Sequence, residues 1–326
     1  MSHIANRTWK GNTGGGTLGQ RLLIFFFRWW NLRLGYAIMA VVVPFYMLFA
    51  RKGYLAIYHY FRQQHGFSKW KSFRKTYRNH FLFGQVILDR FAVFSGRRGD
   101  FEVEIVGNEH FQRLCNGEKG FVIVGSHVGN FEIAGYLLGQ DKKRINALIF
   151  GGETATVQQN RSKVLNNNNV NLIPVSADMS HLFAANVALQ NGEIVSMPAD
   201  RVFGSAKSVE CDFLNGKADF PVGAFALAAS LEVEALAIFC IKISAKRYKI
   251  FVQLVSVCHC GLGYRAKSKY DPQSPESKGD SDFHQNDRKK QIANLAKAYV
   301  VELEKIVTQY PEQWFNFYEF WKSSEL

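Results

Sequence analysis

Cysteine is scarce in this 326-residue sequence, and its pattern excludes a fold held together by disulfides. The five cysteines are an odd number and are widely scattered, which indicates a reducing compartment. The triplet Cys258-His259-Cys260 is the one suggestion of a metal site. On a strand, however, His259 would face away from both thiols, and no second cluster supplies the missing ligands. We therefore expect no metal ion and no cofactor.

A linker rich in proline and serine is also missing from the middle of the chain. One α/β domain is therefore a simpler interpretation than two domains, and the 47% of apolar residues provide an ample core. Strand-like runs alternate with helical segments, which predicts a mixed, mostly parallel sheet flanked by helices on both faces. We place the α/β domain at residues 96–326 and a hydrophobic, basic, membrane-associating helical region at residues 1–95.

Local patterns predict the individual elements. The predicted strands are Phe101–Val106, Phe121–Gly125, Ile145–Phe150, Val170–Val175, Glu193–Pro198, Ser208–Phe213, Leu236–Ile243 and Tyr248–Val257. The predicted helices are Phe61–Phe94, Phe131–Leu138, Ser180–Gln190, Gly223–Ser230 and Asp287–Gln309, the last preceded by a surface loop over Arg265–Lys290.

Acidic residues are in the minority, 27 against 40 lysines and arginines, so the formal net charge is +13. No nucleic-acid-binding module is recognisable and the charge is not concentrated in one block, so nucleic acid is not the expected partner. An anionic membrane surface fits better, because each nearby Lys or Arg contributes about 1 kcal/mol to binding there. An acidic partner protein fits as well.

The hydrophobic run Leu34–Ala50 carries no charge and is bounded by Arg33 and Arg51. It is at the short limit of the roughly 17–25 residues that span a membrane, and Pro44 interrupts it. No small-residue cleavage site is evident, so a secretory signal is not expected. Basic and aromatic flanks favour a membrane-embedded or interfacial anchor, a true span included. A pair of buried core helices is the alternative.

The most informative residue of the chain, His127, lies on a turn between a strand and a helix. Phe121–Leu138 (FVIVGSHVGNFEIAGYLL) reads as a buried strand, a polar turn and a short helix with Asn130 as its N-cap. Open α/β sheets bind ligands at such turns. Glu132, in the first helical turn, can reach back and orient His127 as a general base. A structural histidine, hydrogen-bonded in the turn, is the alternative.

The segment HVGNFE, from His127 to Glu132, resembles the His-x4-Asp/Glu signature of the lysophospholipid acyltransferase superfamily. More closely, the chain resembles the late acyltransferases of lipid A biosynthesis. The similar segments are the opening WKGNTGGG, the block Ser196–Ala228 with its Ala-Asp-Arg, and the ending Tyr310–Trp314. The residue before Glu132 is Phe, where many relatives have Trp. The resemblance implies acyl transfer with His127 and Glu132 as the catalytic pair.

Asp200 and Arg201 form a second polar cluster, which follows a predicted strand as His127 does. A guanidinium can donate two hydrogen bonds at once to a phosphate or carboxylate; alternatively, the pair only structures its loop. Because the resemblance places the Ala-Asp-Arg block near the active site, we assign substrate binding to Arg201, held by Asp200. Asn130 and the free amides of its turn are candidates for stabilising a thioester oxyanion.

Together these features predict a membrane-associated O-acyltransferase at the cytoplasmic face of a bacterial inner membrane. The expected donor is a thioester on acyl carrier protein, and the expected acceptor is a hydroxyl of a lipid A-like or other glycolipid or phospholipid. Ser126 is not expected to form an acyl-enzyme, because Gly-x-Ser-x-Gly spacing is absent. Two alternatives stay open: a lipid or thioester hydrolase using the same residue pair, and a non-catalytic basic protein that binds membranes or nucleic acid.

Overall fold

The computed structural model describes residues 32–94, 96–137, 142–150, 169–176, 178–202, 207–256 and 280–321. The predictions for the Gly-rich opening, for Cys258-His259-Cys260 and for residues 265–279 lie outside these ranges. The strands are β1 (Glu102–Val106), β2 (Phe121–Gly125), β3 (Ile145–Phe150), β4 (Val170–Val175), β5 (Ile194–Pro198), β6 (Ser208–Phe213), β7 (Gly216–Pro221), β8 (Ala235–Lys242) and β9 (Arg247–Val255). The α-helices are α1 (Leu32–Phe49), α2 (Arg51–His59), α3 (Lys69–Phe94), α4 (Asn108–Asn116), α5 (Phe131–Leu137), α6 (Ser180–Gln190), α7 (Gly223–Leu231) and α8 (Asp280–Gln309).

Seven of the strands form one sheet in the order β1-β9-β8-β2-β5-β3-β4. Every neighbouring pair in this sheet is parallel except β8 and β9, which are antiparallel. Strands β6 and β7 form a separate antiparallel hairpin. The sheet is therefore mixed and mostly parallel, which confirms the predicted fold class.

The sheet is covered on both faces, and alternate residues of β2 supply the two cores. Val122 and Val124 pack in a cluster that includes residues of α7 and α8. Phe121 and Ile123 face the opposite side, in a cluster that includes residues of α1, α3, α4 and α5. Alternation of this kind follows from the two-residue period of a strand. A central strand buried on both faces reads as a continuous apolar run, as FVIVG does.

Helix α1 buries only one side. Leu32, Tyr36, Val43 and Met47 are its buried residues, and it packs along α3, where the Tyr77 hydroxyl donates to the Ala40 carbonyl over 3.1 Å. The remainder is largely apolar and exposed. By length and composition α1 could cross a membrane, and it is the one helix of the described ranges with that property. Among the described residues, α1 exposes a larger apolar face than a core helix does, which favours the membrane anchor over the alternative of a buried helix pair.

Several predicted element boundaries are wrong. The helix predicted over Phe61–Phe94 begins only at Lys69, after a π-helical turn, Tyr60–Gln64, and a break at Gly66, whose φ is +62°. The loop predicted over Arg265–Lys290 is helical from Asp280 onward. Helix α4 and strand β7 were not predicted. The proposed domain boundary near residue 95 stays a prediction.

Candidate active site

The site forms where β2 and β5 end side by side. These strands are parallel, with Gly125 opposite Pro198, and the Ala199 amide donates to the Gly125 carbonyl over 3.0 Å. Because the carboxyl ends of adjacent parallel strands meet at one edge, His127 and Asp200 are brought together from positions 73 residues apart. This edge is where open α/β sheets bind ligands.

His127 and Asp200 are joined by two hydrogen bonds. The imidazole Nδ1 lies 2.8 Å from Asp200 Oδ1, and the backbone amide of His127 donates to Oδ2 over 2.7 Å. The carboxylate is fully buried, whereas the His127 side chain is 26% exposed. An ionised carboxylate only accepts hydrogen bonds, so Nδ1 carries the proton and Nε2 is left as the basic nitrogen.

The electrostatics keep Asp200 ionised. Burial alone raises its pKa, but the charge and hydrogen bonds of His127, with the nearby charge of Arg201, outweigh that effect and lower the pKa to about 2. The Trp314 indole also lies within 3.4 Å of Asp200 Oδ2. A carboxylate held in this way orients the imidazole and stabilises the imidazolium that forms when Nε2 takes a proton.

The backbone of the turn after β2 is fixed from two sides. Gly129 has a φ of +61°, and a Cβ there would meet the Cys240 carbonyl oxygen at 2.0 Å, so only glycine fits. The Gly129 amide donates to the Gln313 carbonyl over 2.7 Å, and the Phe315 amide donates to the His127 carbonyl over 2.9 Å. The end of β8 and the C-terminal segment (residues 310–321) therefore fix the backbone that carries the imidazole.

Glu132 forms its ion pair with a residue of another helix. Its carboxylate forms an ion pair with Arg90 of α3, and among the described residues no ion pair joins it to the imidazole. The helix N-terminus favours the ionised carboxylate, and the guanidinium supplies its counter-charge. The structure thus pairs His127 with Asp200, and the predicted role of Glu132 as the carboxylate that orients His127 stays a prediction.

Asn130 is placed as predicted, at the start of α5. Its Oδ1 accepts from the Ile133 amide at 3.4 Å, which is the contact of an N-cap. Its Nδ2 lies 3.3 Å from both the Val86 carbonyl and the Tyr248 hydroxyl. The side chain is 1% exposed, so these contacts tie the turn to α3 and β9.

Arg201 reaches the C-terminal segment. Its Nη2 donates to the Phe315 carbonyl over 2.6 Å, and its guanidinium lies 5.7 Å from the centre of the Tyr318 ring. In the described ranges no ion pair joins Arg201 to Asp200, whose carboxylate is engaged by His127. Burial lowers the pKa of Arg201, and the charge of Asp200 offsets part of that effect.

Comparison with known proteins decides the family. The model of the bacterial lipid A biosynthesis acyltransferases matches residues 74–323, well over half of the chain. The chain belongs to this family. It is accordingly an acyltransferase, and the resemblance seen in the sequence is confirmed. A similar solved structure is the 1-acyl-sn-glycerophosphate (LPA) acyltransferase PlsC from Thermotoga maritima, with 15% identity, a TM-score of 0.32, and coverage of 79% of this chain and 95% of that one. The curated proteins give no match.

The site of this acyltransferase includes residues that the sequence did not single out. Nothing in the sequence distinguishes Arg90 from the other basic residues of α3. Asn316 and Tyr318 belong to the C-terminal segment, and the aromatic residues of this segment between 314 and 321 suit either core packing or a membrane contact. Its Trp314 is 1% exposed, so core packing is the outcome there. Within the described ranges, no three His, Cys, Asp or Glu side chains are grouped so that they could hold a metal ion.

Proposed function

We propose that this acyltransferase moves a fatty acyl chain from a thioester on acyl carrier protein to a hydroxyl of a lipid A-like or other glycolipid or phospholipid. The observation that carries the mechanism is the 2.8 Å contact between His127 Nδ1 and Asp200 Oδ1. It leaves a basic Nε2 on a partly exposed imidazole, which is what deprotonation of a hydroxyl requires.

In the proposed reaction, Nε2 of His127 removes the proton of the acceptor hydroxyl while the oxygen attacks the thioester carbonyl. The tetrahedral intermediate then expels the carrier thiolate, which takes the proton from the imidazolium. The ester and the free carrier thiol are the products, and the enzyme returns to its starting state. Asp200 supports the imidazolium, and no acyl-enzyme is formed.

The other predicted site residues have proposed roles around this centre. Glu132 stays a candidate catalytic residue that orients His127, and its ion pair with Arg90 gives a structural role at the start of α5 as the alternative. Arg201 is proposed to bind a polar substrate group. Asn130 and the amides of its turn stay candidates for stabilising the oxyanion, the free amides of a helix N-terminus being suited to that charge.

We propose that the enzyme acts at the cytoplasmic face of a bacterial inner membrane. The exposed apolar face of α1 supports an anchor in lipid, and Arg51, Lys52, Arg74 and Arg78 are exposed on α2 and α3. Cations beside an apolar face are suited to anionic lipid headgroups. The net charge of +13 also suits an acidic carrier protein.

The test is a transfer assay. Purified protein is incubated with acyl carrier protein carrying a labelled acyl chain and with vesicles that contain bacterial glycolipids and phospholipids. The label is expected in an esterified lipid, identified by mass spectrometry. Labelled free fatty acid alone would instead indicate a hydrolase. The absence of both products would contradict the proposed donor and acceptor.

A further inference from the structure

Asn316 is a buried side chain whose amide forms no hydrogen bond of normal geometry with the described residues. The residue is 3% exposed, and within the described ranges it is the one side chain with two buried polar atoms, Nδ2 and Oδ1, that form no hydrogen bond. Buried amides are normally satisfied at both ends. Burying an amide without hydrogen bonds destabilises the folded protein, because the hydrogen bonds with water are lost and not replaced. A bound molecule can supply the missing hydrogen bonds.

The position of Asn316 connects it to the catalytic histidine. The preceding residue, Phe315, donates its amide hydrogen to the His127 carbonyl over 2.9 Å. The peptide group between Phe315 and Asn316 accepts a hydrogen bond from Arg201 Nη2 over 2.6 Å. Asn316 thus lies between the segment that holds His127 and the guanidinium that follows β5.

Arg201, whose Nη2 reaches the Phe315 carbonyl next to Asn316, adds a second unsatisfied donor. Its Nε is buried and forms no hydrogen bond with the described residues. Tyr318 completes the surroundings: its ring lies 5.7 Å from the guanidinium. Its hydroxyl is close enough to the Asn316 amide for that amide to lower the pKa of the phenol, although burial and Asp200 together raise it to about 12. The contact does not reach hydrogen-bonding geometry.

The chemistry of these atoms restricts the ligand. A side-chain amide has N–H donors and a carbonyl acceptor, and the guanidinium adds a further donor. A phosphate or carboxylate accepts only, so it would satisfy the donors and leave the Asn316 carbonyl facing another oxygen. A hydroxyl or an amide both donates and accepts, and two adjacent groups of this kind satisfy all three unpaired atoms.

We propose that Asn316 and Arg201 form a subsite that binds a substrate group presenting a hydrogen-bond donor beside an acceptor. The inference rests on the proposed function, which offers two sources of such a group. One is the hydroxylated headgroup of the acceptor lipid, and the other is an amide of the pantetheine arm that carries the acyl thioester. Asn316 is then a specificity-determining residue of the enzyme.

The test compares Asn316→Leu with Asn79→Leu. Leucine at 316 removes the unpaired polar atoms and keeps the branched shape of the side chain, so the melting temperature is expected to stay or rise. KM for one substrate is expected to rise about tenfold, the loss expected from a hydrogen bond or two. Asn79 of α3 is the matched control, because its amide contacts the same C-terminal segment and donates to the Glu312 and Trp314 carbonyls over 3.0 and 2.9 Å. Asn79→Leu is expected to lower the melting temperature and leave both KM values unchanged.

Two arms distinguish the sources. KM and the ligand-induced rise in melting temperature are measured once with acyl carrier protein thioester and once with a glycolipid bearing a free sugar hydroxyl. An effect of Asn316→Leu on the glycolipid arm assigns the subsite to the headgroup, and an effect on the thioester arm assigns it to pantetheine. Unchanged binding in both arms, with a lowered melting temperature, would overturn the inference and make Asn316 structural. A wild-type protein that binds these substrates without transfer would refute the proposed function alone.

Discussion

At the scale of single residues, the carboxylate that orients His127 is the central question. The two candidates are the carboxylates of Asp200 and Glu132. Replacing each by its amide removes the charge and keeps the shape, so the loss of kcat shows which of them orients His127. Asp200→Asn is expected to lower kcat by about 10²-fold or more, as His127→Ala does, because the imidazole loses both its orientation and the support of its charge. The double variant is expected to be hardly worse than either single one, as for residues that act as a unit. Steady-state transfer rates are the measurement.

Glu132→Gln is the informative comparison, since it removes the other carboxylate near the turn. The ion pair of Glu132 with Arg90 predicts a smaller loss of kcat than for Asp200→Asn. If Glu132→Gln were as damaging as His127→Ala and Asp200→Asn were nearly as active as wild type, the imidazole would be oriented by Glu132 during turnover. Melting temperatures of all variants serve as the control for folding.

From the sequence, the residues at this edge of the sheet could be predicted better than the contacts between them. Both His127 and Asp200 were singled out because each follows a strand. Their contact depends on β2 and β5 being neighbours, and strand order cannot be read from local patterns. The sequence therefore pointed to a carboxylate five residues away, whereas the contact that the structure forms spans 73 residues. The roles of Arg90 and Asn316 depend on tertiary packing in the same way.

At the scale of elements, a buried polar network joins α1, α3, β8 and β9. Asp89 of α3 accepts from Tyr36, Tyr248 and Lys242. The Asp89 and Lys242 side chains are 0% and 2% exposed. Burial raises the pKa of Asp89 and lowers that of Lys242, and each charge offsets part of the shift of the other. Tyr248 also contacts Asn130, so the network reaches the catalytic turn.

Breaking this network from one side is expected to be costly. Lys242→Met leaves the Asp89 carboxylate buried without its cation, and such a loss typically destabilises a protein by about 3–5 kcal/mol. Denaturant unfolding monitored by circular dichroism measures the change. The control is Lys305→Met, since the pair Lys305–Glu302 lies at the surface and exposed pairs contribute at most about 1 kcal/mol. A Lys242→Met protein as stable as wild type would show that the network adds nothing to stability.

Elements with a clear apolar pattern were predicted with the correct bounds or close to them, and elements without such a pattern were missed or misplaced. Strands β2, β3, β4 and β6 and helix α6 have the predicted bounds, because their runs are apolar or regularly alternating. Helix α4 is short and mostly polar, and its buried side consists of Phe111, Leu114 and Cys115 alone, so it shows too few apolar positions for a helical period to be recognised. The first turns of α8 are polar, and residues 286–290 are exposed. Such a start has no apolar stripe, so it reads as a loop.

At the scale of the whole molecule, we propose that the apolar face of α1 and the excess of basic residues act on the same partner, an anionic membrane. Burial in lipid and attraction to anionic headgroups are additive anchoring terms. Salt weakens only the second, since the Debye length is about 3 Å at 1 M. Removing α1 is a poor way to separate the terms, because Tyr36 on its buried side belongs to the network around Asp89.

Substitutions on the exposed side of α1 separate the two terms instead. Val41, Phe45 and Phe49 are 65%, 59% and 88% exposed, so replacing all three by serine spares the core. Burying one such side chain contributes about 1.5–3 kcal/mol, so the triple variant is expected to bind vesicles of anionic phospholipid at least about 10²-fold more weakly and to be released by 1 M salt. The full-length wild type should stay bound, and so should Phe183→Ser, which removes an exposed apolar residue from α6 (76% exposed). Co-sedimentation with vesicles measures both terms. A wild type that stays soluble and monodisperse without detergent at ordinary salt would show that this face does not meet lipid.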